Sequence, residues 1–295
     1  MADPILTAEA FAAAVDRLVA QRGRPVVVKL GGSAMEDPIA TDACLRSVAT
    51  LNQLRVPVVL VHGGGKPIDR AMAAAGITPR KVAGRRYTDD ATLEIVVRVL
   101  KDEINASLVA KLRALGVEAF AASDALAGER LTLSDTNDQP IDLGHVGTVS
   151  WVDSDLLRGA FGEEVNFTVP GTLPVIPSIA VFNDDKWWLN VNADTAASAV
   201  AGALKADKVI FLTDTPGVLR DPANPVSLIP SLTEREARDL ITSGVIDGGM
   251  VPKVEACFEA LEAGAKTALI LDGRVPFSLL DVFLHDTFKG TVIRR

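Results

Sequence analysis

The sequence predicts an α/β fold: a three-layer αβα sandwich around a mainly parallel central sheet, with β-hairpins over one end. Three observations carry this expectation. Val26-Val27-Val28-Lys29-Leu30 and Val58-Val59-Leu60-Val61-His62 are runs of branched apolar residues. Such runs read as strands buried on both faces, and a doubly buried strand needs helices on either side of its sheet. Each run closes on a glycine turn, Gly31-Gly32-Ser33 and Gly63-Gly64-Gly65-Lys66. Helical patterns alternate with the runs, which is the signature of right-handed strand–helix–strand crossovers.

The elements follow in order. Thr7 is a candidate N-cap for a helix at about 8–20, with Phe11, Val15, Leu18 and Val19 as its apolar stripe. That helix precedes the first strand and is not needed for the sheet, so contact with a partner is its expected use. A helix is predicted over 39–54, a strand over 56–61 and a helix over 67–75 ended by Gly76. A long helix over 89–115 follows, closed by Gly116 at the position where helices commonly end. From about 117 to 190 the character changes. Turn clusters such as Asp135-Thr136-Asn137-Asp138 and Asn183-Asp184-Asp185 separate short apolar runs, suggesting hairpins over the mouth of a site. Regular alternation resumes with a helix over 193–204 and a strand over 208–212. Helices near 233–243 and 252–263 then precede strands over 267–271 and 291–293. A composition break near Phe182 predicts two lobes, residues 1–181 and 182–295, with the sheet free to run across the boundary.

Composition narrows the function. The 295 residues are 48% hydrophobic and 23% charged, with a formal net charge of −8. That acidic balance argues against a nucleic-acid surface and makes local lysines a natural site for a small anion. No apolar run approaches the ~18 residues that span a bilayer, and the N-terminus does not read as a signal peptide. Two cysteines without metal or disulfide spacing fit a reducing compartment, so the expected location is cytoplasmic, with no membrane partner.

The glycine turns suggest phosphate, since glycine lets backbone N–H groups approach an anion. Neither completes a familiar fingerprint. Pro67 follows Lys66 where a P-loop needs Ser or Thr, and Ile68 stands where a dinucleotide loop needs its third glycine. Lys29, at the C-terminal end of a buried strand, must reach into the crevice where open α/β sheets bind ligands. In Asn190-Val191-Asn192-Ala193-Asp194, one of Asn192 and Asp194 is expected to cap a helix, leaving the other polar groups for a ligand. Asp194 could hold phosphate-binding ammonium groups in place without acid–base chemistry. In Asp247-Gly248-Gly249-Met250-Val251-Pro252-Lys253, Lys253 opposes the dipole of the helix it begins, a local violation that points to function. Thr213-Asp214-Thr215-Pro216-Gly217 suits a nucleotide's sugar or base, or is a plain turn. Arg85 and Arg86 precede a helix, and arginine suits bidentate capture of a carboxylate. His62, His145 and His285 show no carboxylate–histidine pattern and read as structural.

Together these residues resemble the amino acid kinase family over nearly the whole chain, and in particular its branch acting on N-acetyl-L-glutamate. The shared segments include Lys29-Leu30-Gly31-Gly32, His62-Gly63-Gly64-Gly65, Gly84-Arg85-Arg86-Tyr87-Thr88, Leu143-Gly144-His145-Val146-Gly147, Asn190–Asp194 and Gly248–Lys253. The resemblance implies phosphoryl transfer from ATP to the substrate's side-chain carboxylate in arginine biosynthesis, with Mg²⁺ carried on the nucleotide. By position, Lys29 and Lys253 would neutralise the transferring phosphoryl and Asp194 would orient both. Backbone N–H groups of Gly31, Gly32 and Gly64 would bind its oxygens. Gly63, Gly64, Arg86 and Asn190 would hold the acceptor, while Thr213, Asp214, Gly217, Gly249 and Met250 would hold the nucleotide. The first lobe would bind the acyl-amino acid and make subunit contacts; the second would bind ATP. A homodimer or homohexamer is implied, the N-terminal helix promoting the latter. Phe277 stands where arginine-inhibited members carry a histidine, and Ala121-Ala122-Ser123-Asp124 departs from a glycine-rich stretch. The alternatives are a sister kinase for a carrier-linked aminoadipate or glutamate, and a non-catalytic sensor of the same fold.

Overall fold

The computed structural model describes residues 7–162, 171–182 and 187–295. Its frame is an eight-stranded sheet in the order Ser231–Thr233, Thr291–Arg294, Thr267–Asp272, Lys208–Thr213, Val26–Leu30, Val58–His62, Leu173–Pro177, Ala119–Ala121. Neighbours are parallel except where Thr267–Asp272 meets Thr291–Arg294. The half from Val26–Leu30 onward comes from residues before 182 and the other half from residues after it. The sheet is continuous across the junction, where Val27 lies opposite Val209 and Lys29 opposite Phe211.

Strand alternation sorts side chains to two cores. Val27, Val59, Val61, Val209 and Phe211 pack on one face with the helices Ala193–Leu204 and Val251–Glu262. Val26, Val28, Val58, Leu60 and Ile210 pack on the other with Pro38–Gln53 and Ala106–Ala114. These residues are essentially sealed from solvent. Burying each such side chain is worth about 1.5–3 kcal/mol, which is why the apolar runs dictate sheet and layers together.

Most predicted elements are present with ends moved by a few residues: the early strands are Val26–Leu30 and Val58–His62, and the helix after the second turn is Gly65–Ala74. Three features correct the expectation. The long helix is not uniform, because an eight-residue π segment, Arg98–Asn105, separates Asp90–Val97 from Ala106–Ala114. The region expected to form hairpins supplies a fully buried strand of the main sheet, Leu173–Pro177, second from its edge. It also closes a four-stranded barrel from Leu126–Arg130, Val146–Val152, Ile179–Val181 and Trp188–Val191. True hairpins do occur, pairing Lys81–Val82 with Arg85–Arg86 and Leu133–Ser134 with Pro140–Ile141. The short helices Ser154–Ala160 and Ser278–Leu284 and the edge strand Ser231–Thr233 were not anticipated. The Asn183-Asp184-Asp185 cluster lies outside the described residues.

The N-terminal helix is Ala8–Ala20, capped by the Thr7 hydroxyl accepting from the Ala10 N–H at 3.1 Å. Arg17 ties it to the C-terminal region through Asp286 and the Leu284 carbonyl. Leu18 is buried, whereas Phe11, Val15 and Val19 remain exposed along one face. Among the described residues no helix is long and apolar enough to cross a membrane.

Candidate functional site

The two glycine turns leave adjacent parallel strands at the same C-terminal end of the sheet, since Leu30 lies opposite His62. Between them opens a cleft of about 350 Å³. Lys29 is the half-buried residue in an otherwise sealed strand, and its Nζ forms an ion pair with Asp194 Oδ1 at 2.8 Å. Asp194 is free for this because Asn192 takes the capping role, its Oδ1 accepting from the Asp194 and Thr195 N–H groups. Asn192 therefore starts the helix, just past the strand that ends at Val191, and still lines the cleft beside Asn190. The Lys29 ammonium folds back over the first turn, so that a side chain at Gly31 would meet it at 2.8 Å. Gly31, Gly32, Gly63 and Gly64 line the cleft with Lys29 and Asp194.

The far wall comes from the Lys81–Arg86 hairpin and the strand Trp188–Val191. Arg86 is already engaged: its guanidinium pairs with Asp69 at 2.6 Å and donates to the Gly65 carbonyl. Asn190 donates through Nδ2 to the Thr88 hydroxyl at 3.0 Å. Asp69 and Thr88 were not singled out from the sequence; Thr88 closes the Gly84–Thr88 segment, and Asp69 offers only its place one helical turn beyond Lys66. Lys81, Arg85 and Ser178 also line the cleft.

A second group sits at the same end of the sheet, beyond the Lys208–Thr213 strand. Thr213 Oγ1 contacts Asp214 Oδ1 at 3.1 Å, and Thr213 lies opposite Asp272. Burial pushes the Asp214 carboxyl up, but its own backbone N–H, the Thr213 hydroxyl, Lys253 and Arg274 outweigh that and hold it below its usual range. Arg274, which the sequence did not single out, grips Asp272 with bonds of 2.9 and 2.8 Å. Gly217 packs against Thr291. Lys253 donates to the Gly249 carbonyl at 3.1 Å, which relieves its awkward place near a helix start. Met250 precedes that helix and packs on the core. The structure therefore gathers Lys29, Asp194, Arg86, Asn190 and the two turns, and places Thr213, Asp214, Gly217, Gly249, Met250 and Lys253 outside that cleft's lining. Asp194 makes its ion pair with Lys29, and none with Lys253 is present among the described residues.

Two histidines have carboxylate partners where none was expected. His145 Nε2 lies 2.6 Å from Asp90 Oδ1, a pairing across 55 positions that no local motif reveals. His285 lies 3.8 Å from Asp281. His62 is sealed within the fold, and burial lowers its pKa to about 4. This has a stability consequence. The unfolded imidazole takes a proton near its ordinary value of about 6.5 while the folded one does not. The contribution is complete above pH 6.5 and declines as pH falls toward 4, by up to about 3 kcal/mol. Thermal melts from pH 7 to 4.5 should show a steeper loss for the native chain than for His62→Gln; equal slopes would contradict it.

A parallel sheet ending in glycine turns, with an ion-paired lysine between them, defines an anion-binding α/β enzyme of the phosphoryl-transferring kind. Residues 24–272 match the amino acid kinase family, and the chain belongs to that family. It is 37% identical over 290 residues to acetylglutamate kinase from Akkermansia muciniphila, covering 97% of this chain and 95% of that one. It is 39% identical over 272 residues to acetylglutamate kinase from Trichodesmium erythraeum, covering 92% and 89%. It also superposes on N-acetylglutamate synthase from Neisseria gonorrhoeae, complexed with coenzyme A and N-acetyl-glutamate, with a TM-score of 0.83 at 24% identity. That match covers 99% of this chain but 64% of the synthase, so it speaks to fold alone.

Proposed function

We propose that this chain transfers the terminal phosphoryl group of ATP to the side-chain carboxylate of N-acetyl-L-glutamate, in arginine biosynthesis in the cytoplasm. A carboxylate oxygen attacks the γ-phosphorus, the bond to the β-phosphate oxygen breaks, and an acyl phosphate and ADP result. The observation that carries this reading is the Lys29–Asp194 pair set between two glycine turns. It is supported by the full-length similarity to acetylglutamate kinases.

Each residue then has a role that needs positioning and charge rather than proton transfer. Lys29 neutralises the phosphoryl group in flight, and Asp194 holds its ammonium in place. The N–H groups of Gly31, Gly32 and Gly64 face the phosphoryl oxygens. Arg86 and Asn190, with the backbone of Gly63 and Gly64, hold the acceptor. Thr213, Asp214, Gly217, Gly249 and Met250 hold the nucleotide in the lobe of residues 182–295. Lys253 would approach the phosphates from that lobe, meeting the acceptor bound by residues of the first lobe together with Asn190. The cleft's ammonium and amide donors suit phosphate oxygens rather than a cation, which fits Mg²⁺ arriving on the nucleotide and adding charge neutralisation there. Assembly into a homodimer or homohexamer is part of the same reading; the exposed Phe11–Val15–Val19 face is a surface for it.

An ADP-release assay tests this directly. N-acetyl-L-glutamate should support turnover at least about tenfold better than L-glutamate or aminoadipate derivatives, because a site built around an acetamide leaves buried polar groups unpaired without it. Equal or better use of an aminoadipate derivative would favour the sister kinase, and no turnover with any of them would favour a sensor.

A further inference from the structure

The π segment Arg98–Asn105 interrupts the long helix beside the second glycine turn. Such bulges often mark functional places. Two of its side chains floor the turn: a Cβ on Gly64 would lie 2.7 Å from both Leu100 Cδ2 and Ile104 Cδ1. Its last residue, Asn105, is wholly buried. The Asn105 amide nitrogen lies 2.9 Å from the Val175 carbonyl and 3.1 Å from His62 Nε2. The reverse amide orientation would set carbonyl against carbonyl, so Nδ2 must face both groups. His62 Nε2 is therefore the acceptor, and the ring's single hydrogen is on Nδ1. That nitrogen lies 3.1 Å from the Gly63 carbonyl. The His62 carbonyl accepts from Ser178, and the Gly63 N–H donates to Leu30, so the turn is held from all sides.

We propose that Asn105 and His62 are positioning residues: Asn105 fixes the Nδ1–H form of His62, which holds the Gly63 carbonyl and so aims the Gly63–Gly64 backbone into the cleft. The wider turns of the π segment bring Asn105 to that place while Leu100 and Ile104 close the space beneath Gly64. The kinetic consequence rests on the function proposed above; the proton's position on His62 does not.

The test has two arms. In ¹⁵N-histidine-labelled protein at pH 7, two-bond ¹H–¹⁵N correlation should show His62 with protonated Nδ1 and bare Nε2, assigned by its absence in His62→Gln. Asn105→Leu should disturb that signature. It should also lower kcat with N-acetyl-L-glutamate by about tenfold or more, with a smaller change in the KM for ATP. His62→Asn, which keeps a donor near the Nδ1 place, should retain more turnover than His62→Leu. A protonated Nε2 on His62, or full kcat in Asn105→Leu, overturns the proposal. Should the Asn105 and His62 variants fail to fold, the tautomer of the native protein, with His62 assigned by elimination through His145→Gln and His285→Gln, still decides it. A native chain inactive toward acetylglutamate but showing the Nδ1–H form would overturn the function and leave the positioning geometry standing.

Discussion

Lys29→Ala is expected to lower turnover by about 10²–10³-fold, the range found when one preorganised donor to a developing charge is removed. The Lys29 side chain is 12% exposed and Asp194 17%, so the ammonium acts where water screens it little. Its place is set before any ligand arrives, by the strand below, the Asp194 carboxylate and the first glycine turn. The loss should therefore fall on kcat more than on KM, as for an interaction strongest in the transition state. The fold should survive. Both partners of the pair keep some solvent contact, and the freed Asp194 carboxylate remains at a helix N-terminus that favours it, so the stability cost should stay within about 2 kcal/mol. Steady-state ADP release and a thermal melt on the same preparation check both halves. Turnover near that of the native chain would remove Lys29 from the chemistry, and an unfolded variant would make its role structural.

Gly144→Ala should damage stability and the Asn190 wall of the cleft together. Gly144 has φ +67°, and a Cβ there would lie 2.2 Å from the Thr88 carbonyl oxygen. An alanine meets both a left-handed backbone costing roughly 1–2 kcal/mol and a backbone clash costing roughly 1–3 kcal/mol more. Thr88 and Gly144 form an isolated bridge, and the His145 N–H donates to the Thr88 carbonyl. The same Thr88 accepts from Asn190. Relief of the clash must therefore shift Thr88 and with it Asn190. Tm should fall by about 5–10 °C, and the KM for N-acetyl-L-glutamate should rise in the surviving enzyme. A variant with native Tm and KM would show that the bridge does not frame the site.

Legibility followed the range of the interactions. Val26–Leu30 and Val58–His62 were readable because burial on both faces leaves a local record, a run of branched apolar residues. Leu173–Pro177 is just as buried, but it sits among turn clusters and carries two prolines, so the hairpin expectation absorbed it. The helix over 89–115 was readable as helix, yet its π segment was not, since the extra residue per turn answers to Asn105 reaching Val175 and His62 seventy and forty-three positions away. Lys29 and Asp194 could each be named from a strand end and a helix start. Their ion pair could not, nor could the contacts of Arg86 with Asp69 and His145 with Asp90.

By itself the sequence determined the layers, the parallel sheet, the glycine turns and the family, because periodicity and turn chemistry are written within a few residues of one another. Only the tertiary structure decided which charges meet, how the barrel closes, and that His62 lies beneath the second turn with Asn105 beside it. Those depend on strand register and on helices crossing the sheet, where partners far apart in the chain are brought within 3 Å or so by packing that no local pattern encodes.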